Sequence, residues 1–565
     1  MRLQLFGSVT AASLMALALA ASAQSGRPAT SAAVANDLDH CSSLRGARID
    51  PSRIGIPSGA ARVLDAVIDN EPASRGPATR YCKVTGEIAA LTVGASVIHF
   101  QLNLPPSWNR KLVMTGGGGF NGIVLGGLGP LRDAPHGTAT PLAKGYATAS
   151  TDSGHQIASR DDSEPARFTL NDEMLRNFAF ESYKKTTDVA RALLQDYFGQ
   201  RVRYTFYFGG SEGGREGLTM AQRYPSDFDG IVSVVPVISW TGLMSSFAAL
   251  IPPQRNGGLI DGDKAKVLAH AVMAKCDALD GIRDGVVSNY LGCRKTFSVG
   301  TLRCPQGAPP TDACFTDAQV ATLEAAYEPT RLPFALSNGI SSYPGRLSGG
   351  EVQVPGDNFM RWVSTGKPMA VPPSAADPRG AVYGSNFIRY LLARDANYDV
   401  ANYDPAHFES RLRQVSALMD STNPDLSPFL HHGGKLIIRE NGGDTAQSPL
   451  AGFNYYKSVV RKMGKPTAER FLRLYVSPSS AHGGAAFSLT TGEPVPTEHD
   501  LLADIDAWVT AGKPPADELE QVATRATAPY DRLAARPMCR YPRYPRYVGG
   551  DRLKSASYRC TLPAQ

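Results

Sequence analysis

The chain has 565 residues, 58 Lys and Arg against 52 Asp and Glu for a formal charge of +6, 42% hydrophobic residues, 55 Gly, 41 Pro and 8 Cys. This balance excludes a disordered, collagenous or coiled-coil protein, and a charge of +6 spread over scattered Lys and Arg is too dilute for a nucleic-acid footprint. Length leaves open three or four domains of about 150 residues, or one large core with insertions.

Arg2, an apolar run from Leu3 to Ala20 and then Ala21-Ser22-Ala23-Gln24 have the layout of a secretory signal, residues 1–23, cleaved after Ala23. Gly7, Ser8 and Thr10 break the run, and no later segment is apolar over the roughly 18 residues of a span, so no membrane span is expected in the mature chain. Residues 24–36, rich in Ser, Ala and Pro, read as a flexible leader. All eight Cys follow it, and an even count in an oxidising compartment predicts disulfides among about 105 possible pairings.

Apolar periodicity then predicts strands at 97–104, 111–115 and 145–151, a helix at 177–197, a strand at 204–208, a helix at 213–223 and a strand at 230–237. From 239 to 428 the pattern loosens into short helices and proline-rich loops that hold four of the cysteines. Alternation resumes with strands at 435–439 and 471–476 and helices at 449–462 and 500–511. Strands alternating with helices predict an α/β fold on a parallel sheet. Residues 37–238 and 429–565 would form that sheet domain, and 239–428 a lid inserted into it.

Gly209-Gly210-Ser211-Glu212-Gly213 is a G-x-S-x-G run between a predicted strand and a predicted helix, the context of a nucleophile elbow. A serine needs a histidine to take its proton and an acid to orient that histidine, both on loops after later strands. Asp444 and His482 follow the strands at 435–439 and 471–476 and are the candidates. Glu440 competes as the acid but sits nearer its strand's end; His499 lies in the acidic approach to a helix, and His431 and His432 precede the acid's strand. An oxyanion needs amide donors: the N–H of Glu212, and one from Gly116–Gly119, of which Gly118 is preferred with its neighbours left open. Asp277, Asp280 and Asp284, separated by glycine turns, read equally as a polar turn or as a Ca²⁺ loop of non-EF-hand spacing.

Together, GGSEGGREGL (209–218), CDALDGIRDGVV (276–287), Asp152-Ser153-Gly154-His155 and GGGGFNG (116–122) resemble the tannase and feruloyl esterase family of secreted serine esterases, with a likeness spanning about Cys41 to Cys560. The resemblance implies an α/β-hydrolase fold with a large lid, and a structural Ca²⁺ held by Asp277, Asp280 and Asp284 with the carbonyls of Ile282 and Val286. It also implies the pairs Cys41–Cys82, Cys276–Cys293, Cys304–Cys314 and Cys539–Cys560. Many relatives carry one more bridge, from just before the nucleophile to just after the histidine. Gly210 and Gly483 stand there in this chain, and their joint absence favours His482 over His499; cysteines placed at both would be expected to join.

The expected activity is hydrolysis of small esters of aromatic acids, of gallate, ferulate or terephthalate-monoester type. Candidates for touching the acid are Arg379, Tyr383, Phe387, Arg389 and Trp362 in the lid, with ordinary packing as their plain alternative, and Ala446 and Gln447 beside Asp444. An acyltransferase would use the same triad. A non-catalytic binding protein would have lost a member of it, and all three are present.

Overall fold

A computed structural model of the chain describes residues 38–71, 79–159, 161–307 and 311–564, so the predicted signal and leader lie outside the described residues. In chain order the strands are β1 (Arg48–Ile49), β2 (Ala61–Asn70), β3 (Arg80–Ile88), β4 (Ile98–Leu104), β5 (Lys111–Thr115), β6 (Ala147–Thr151), β7 (Tyr204–Gly210) and β8 (Gly230–Val234). They continue as β9 (Thr330–Arg331), β10 (Ser342–Tyr343), β11 (Lys435–Asn441), β12 (Leu472–Ser477), β13 (Glu518–Thr524), β14 (Arg532–Arg540), β15 (Tyr544–Tyr547) and β16 (Tyr558–Thr561). Twelve of them form one sheet in the order β1-β2-β3-β4-β6-β5-β7-β8-β11-β12-β14-β13.

The expected parallel sheet is only the middle of this one. Strands β6, β5, β7, β8, β11 and β12 run parallel, while β1–β4 and β13–β14 add antiparallel flanks. Strand β4 is the strand expected at 97–104; of the flanking strands that were not expected, β2 faces solvent on one side, where Arg62, Asp65 and Asp69 interrupt its apolar residues. Strands β8 and β12 are buried at every residue, as near-continuous apolar runs require. Strand β8 stops three residues short of the expected end because Val235 turns at φ 41° ahead of Pro236. The expected helix at 177–197 opens with a π-helical turn, Asn177–Glu181, before the α-helix Ser182–Phe198, which Gly199 ends at φ 64°.

Between β8 and β11 the chain leaves the sheet and builds a helical layer with its own core, including Trp240, Phe247, Leu323, Phe359 and Tyr390. Buried Arg215, on the helix Glu212–Arg223, joins that layer to the sheet by donating to the carbonyls of Met419 at 3.3 Å and Ala179 at 2.8 Å. The eight cysteines form the four pairs that the resemblance implies. Among the described residues no helix is long and apolar enough to cross a membrane.

Candidate active site

Strand β7 delivers Ser211 at φ 61°, ψ −124°, a conformation that a non-glycine residue holds only under strain, and the next residue begins the helix Glu212–Arg223. The turn is tight enough that a Cβ on Gly213 would lie 2.8 Å from the carbonyl oxygen of Gly117, so only glycine lets the helix start rest on the glycine run after β5.

His482 reaches both predicted partners: its Nε2 lies 2.8 Å from Ser211 Oγ and its Nδ1 2.7 Å from Asp444 Oδ2. Asp444 is fully buried, and its Oδ1 accepts from the amides of Ala446 at 2.8 Å and Gln447 at 3.0 Å, which fixes the carboxylate. The competing residues go elsewhere. Glu440 is buried with neither carboxyl oxygen hydrogen-bonded, and burial, with Asp444 nearby, pushes it well above the usual carboxylate range. His499 is occupied by the carbonyl of Glu520 and by Asp504, each at 2.7 Å.

The glycine run narrows to one half. The amide of Gly116 donates to Phe208 at 3.0 Å, and that of Gly117 to Tyr183 Oη at 2.9 Å and to Glu216 at 3.1 Å. Gly118 faces open space within the cavity wall, and the amide of Glu212 lies in the first turn of its helix, where no intrahelical acceptor exists. The Glu212 side chain is turned to Arg215 Nε at 2.6 Å, and burial pushes its carboxyl up to about 8.

A cavity of about 430 Å³ opens over Ser211 and His482. Of the expected contact residues, Arg379, Tyr383, Trp362, Ala446 and Gln447 line it. Phe387 and Arg389 do not. The helix Arg379–Asn386 passes into a π-helical turn, Phe387–Ala393, that aims Phe387 at Trp240 with ring centres 5.8 Å apart, while Arg389 pairs with Glu164 at 3.1 Å. Gln447 is buried with neither amide atom hydrogen-bonded. Arg132, Trp240, Phe247 and Arg361 also line the cavity and were not anticipated. Arg132 comes from the aperiodic loop between β5 and β6, where sequence gives no signal of direction.

In the acidic loop, Asp277 Oδ1 accepts from the amides of Asp284 and Gly285 at 3.1 Å and Val286 at 3.4 Å, and Asp284 Oδ2 pairs with Arg536 at 2.6 Å. Asp280 Oδ2 and Asp284 Oδ1 are buried without partners. Among the described residues no group of three or more His, Cys, Asp or Glu is drawn together as a metal cage. The loop also braces the histidine loop: the amide of Val287 donates to Ser479 Oγ at 3.0 Å.

A sheet with a parallel centre, a serine on a strained strand-to-helix turn and a helical layer above it define an α/β-hydrolase fold. The chain belongs to the tannase and feruloyl esterase family, whose family model matches residues 82–561. It is 33% identical to an uncharacterized esterase of Agrobacterium fabrum over 94% of each chain. It is 28% identical to the mono(2-hydroxyethyl) terephthalate hydrolase of Piscinibacter sakaiensis over 89% of each. The crystal structure of feruloyl esterase B from Aspergillus oryzae superposes with a TM-score of 0.73 at 22% identity, covering 93% of this chain and 100% of that one. The protein is accordingly a carboxylic ester hydrolase acting on small-molecule esters.

Proposed function

We propose that the protein is a secreted serine esterase that cleaves esters of aromatic acids through Ser211, His482 and Asp444. The observation that carries this reading is the hydrogen-bonded line from Ser211 Oγ through both nitrogens of His482 to a buried carboxylate. Ser211 attacks the ester carbonyl while His482 Nε2 takes the hydroxyl proton, and Asp444 holds the imidazolium that forms. The amides of Glu212 and Gly118 receive the oxyanion, with Gly119 as the neighbouring donor. His482 then protonates the departing alkoxide, and water, deprotonated by the same nitrogen, releases the acid from the acyl-enzyme. Trp362, Tyr383 and Phe247 offer ring faces and edges to an aromatic acyl group, and Gln447 an unpaired amide to its polar substituent. Secretion is supported by the pattern of residues 1–23 and by four disulfides.

The test has two parts. An alkyl fluorophosphonate should label the wild type and not Ser211→Ala; labelling of the variant, or none of the wild type, would refute the nucleophile. A panel of methyl gallate, methyl ferulate, chlorogenate and the hydroxyethyl monoester of terephthalate, on wild type and Arg379→Ala, then reads the acid. If Arg379 clamps a substrate carboxylate, only the charged esters lose rate.

We also propose the Ca²⁺ site. The two orphaned buried oxygens of Asp280 and Asp284 fit a hard cation, and Asp277 with the carbonyls of Ile282 and Val286 would complete its oxygen shell. The ion would be structural, offsetting carboxylate repulsion in a loop that braces the histidine loop. Ca²⁺ added to EDTA-treated protein should raise the unfolding temperature, and should do so less in Asp280→Asn; no shift in the wild type would refute the site.

A further inference from the structure

His482 must keep its imidazole between two partners, yet it stands on a loop, the least constrained kind of segment. The backbone around it is nevertheless tied down group by group. The carbonyl of Ala481 accepts from Asn441 Nδ2 at 2.8 Å, at the end of β11. The carbonyl of His482 itself accepts from Arg132 Nη2. The amide of Gly483 donates to Asp357 Oδ2 at 2.5 Å. Three successive residues are therefore gripped from three different places: the sheet, the β5–β6 loop and the helical layer.

Neither long-range arm is loose. Asp133, next to Arg132, pairs with buried Arg439 of β11 at 3.3 Å, and its carbonyl accepts from the amide of His499 at 2.6 Å. Arg132 packs so closely on the elbow that a Cβ on Gly210 would meet its Nη1 and lie 2.8 Å from its Cδ. On the other side, Asp357 Oδ1 accepts from Trp362 Nε1 at 3.0 Å, and the Trp362 ring stands edge-on to the His482 ring with centres 5.5 Å apart. A Cβ on Gly483 would lie 2.9 Å from Asp357 Oδ2, so the glycine is what lets the carboxylate reach the backbone. Arg132 lines the cavity; Asp357 does not.

We propose that Arg132 and Asp357 are positioning residues that form a two-sided ionic clamp on the His482 loop, one arm from the β5–β6 loop and one from the helical layer. The clamp holds Nε2 on Ser211 and makes the histidine's geometry depend on the helical layer being seated. It rests on the reading of Ser211, His482 and Asp444 as the triad, and acts through His482 without touching the reacting atoms.

The experiment measures kcat and KM on an aryl ester, and the rate of fluorophosphonate labelling of Ser211, for Arg132→Met, Arg132→Lys, Asp357→Ala and Asp357→Asn, with unfolding temperatures and circular dichroism as fold controls. Displacement of a catalytic group by about 1 Å is worth up to about 100-fold, so Arg132→Met and Asp357→Ala should each lower kcat about 10- to 100-fold with KM within about 2-fold. Labelling should slow in parallel, because phosphonylation needs the histidine and not the ester pocket. Arg132→Lys and Asp357→Asn, which keep a donor and an acceptor, should recover part of the loss. If a variant unfolds, the conservative variant at the same position carries the comparison. Unchanged kcat, or a loss confined to KM, would overturn the clamp and make Arg132 a substrate contact at most. An inactive Ser211→Ala alongside fully active clamp variants would refute the clamp and leave the triad standing, whereas an active Ser211→Ala would refute the triad first.

Discussion

Glu216 offers the sharpest perturbation of the proposed oxyanion loop that avoids the proposed reacting atoms. Its side chain is 1% exposed and stands on the nucleophile helix one turn after Ser211. Oε1 accepts from Asn121 Nδ2 at 2.5 Å, and Oε2 from Tyr207 Oη at 2.9 Å and from the amide of Gly117 at 3.1 Å. The same carboxylate thus ties the glycine run to the helix that follows the nucleophile, and Gly118 is the next residue along. Glu216→Gln keeps the shape but leaves one oxygen to serve donors on two sides. If that oxygen stays with Asn121, Tyr207 Oη must reverse and Gly117 keeps only its bond to Tyr183 Oη. One of the three bonds to a charged acceptor is then lost and the other two become bonds between neutral groups, at about 1.5–3 kcal/mol for the first and less for each of the others. Urea unfolding should therefore show a loss of about 2–4 kcal/mol. A shift of the Gly118 amide by a few tenths of an ångström should lower kcat about 10-fold, a part of the 100-fold or more that a whole oxyanion donor is worth. A change below about 0.5 kcal/mol, or a full stability loss with kcat untouched, would refute the argument that this carboxylate sets the loop.

Four other outcomes follow from equally local features. His155 is buried, stacked on Phe168 with ring centres 3.4 Å apart and bonded to the Phe120 carbonyl at 2.8 Å, and burial pushes it from its ordinary 6.5 down to about 3. The unfolded chain takes up a proton that the folded one refuses, so stability falls as pH drops below about 6.5, by about 1.4 kcal/mol per unit for this group; His155→Phe should flatten that slope between pH 6 and 4, and an unchanged slope would count against it. The Cys41–Cys82 bridge closes a separation of 41 residues, so Cys41→Ser with Cys82→Ser should lose about 4 kcal/mol in denaturant unfolding. Gln447→Leu removes two unsatisfied buried atoms; it should gain about 1 kcal/mol of stability while raising KM for hydroxylated aromatic esters about 10-fold, and equal KM values would remove Gln447 from substrate recognition. The structure changes the expectation that cysteines at 210 and 483 would join: Arg132 and Asp357 lie where a Cβ at each position would stand, so Gly210→Cys with Gly483→Cys should leave two titratable thiols and form a disulfide once Arg132→Ala and Asp357→Ala are added; thiols persisting in that quadruple variant would argue against contact between the two loops.

What the sequence made legible follows from the range of the forces involved. The elbow could be read from five consecutive positions, Gly209 to Gly213, and the strand and helix on either side, because such a turn is specified by its own glycines and by local periodicity. Asp444 and His482, which the fold brings within hydrogen-bond reach of each other and of Ser211, could be picked as candidates from chain order, because each sits where a parallel strand ends and its loop begins, and β11 and β12 were visible as apolar runs. Gly118 could be preferred but not isolated: the amides of Gly116 and Gly117 are spent on Phe208, Tyr183 and Glu216, up to about a hundred residues away in sequence. Phe387 and Arg389 looked like cavity residues by position and are turned into the helical layer by a π-helical turn that has no compositional mark.

Arg132 and Asp357 lie at the far end of that scale. Each is one charged residue in an aperiodic loop, and no periodicity or motif around it tells from sequence where the side chain points. Their partners are backbone groups of the His482 loop, 350 and 126 residues away. A backbone carbonyl or amide leaves no residue type in the sequence with which to match a charge, so such a contact has no pattern to find. The two glycines do carry half of the information. Gly210 and Gly483 are small where Arg132 and Asp357 need room, and a Cβ at either would displace the arm that lies against it. Sequence could therefore show that the bridging cysteines of many relatives are absent beside the serine and the histidine, and only the fold could show that a cation lies against one glycine and an anion against the other. Two opposite charges, each hydrogen-bonded to the peptide backbone on one side of the imidazole, fix the loop without placing a net charge beside the histidine.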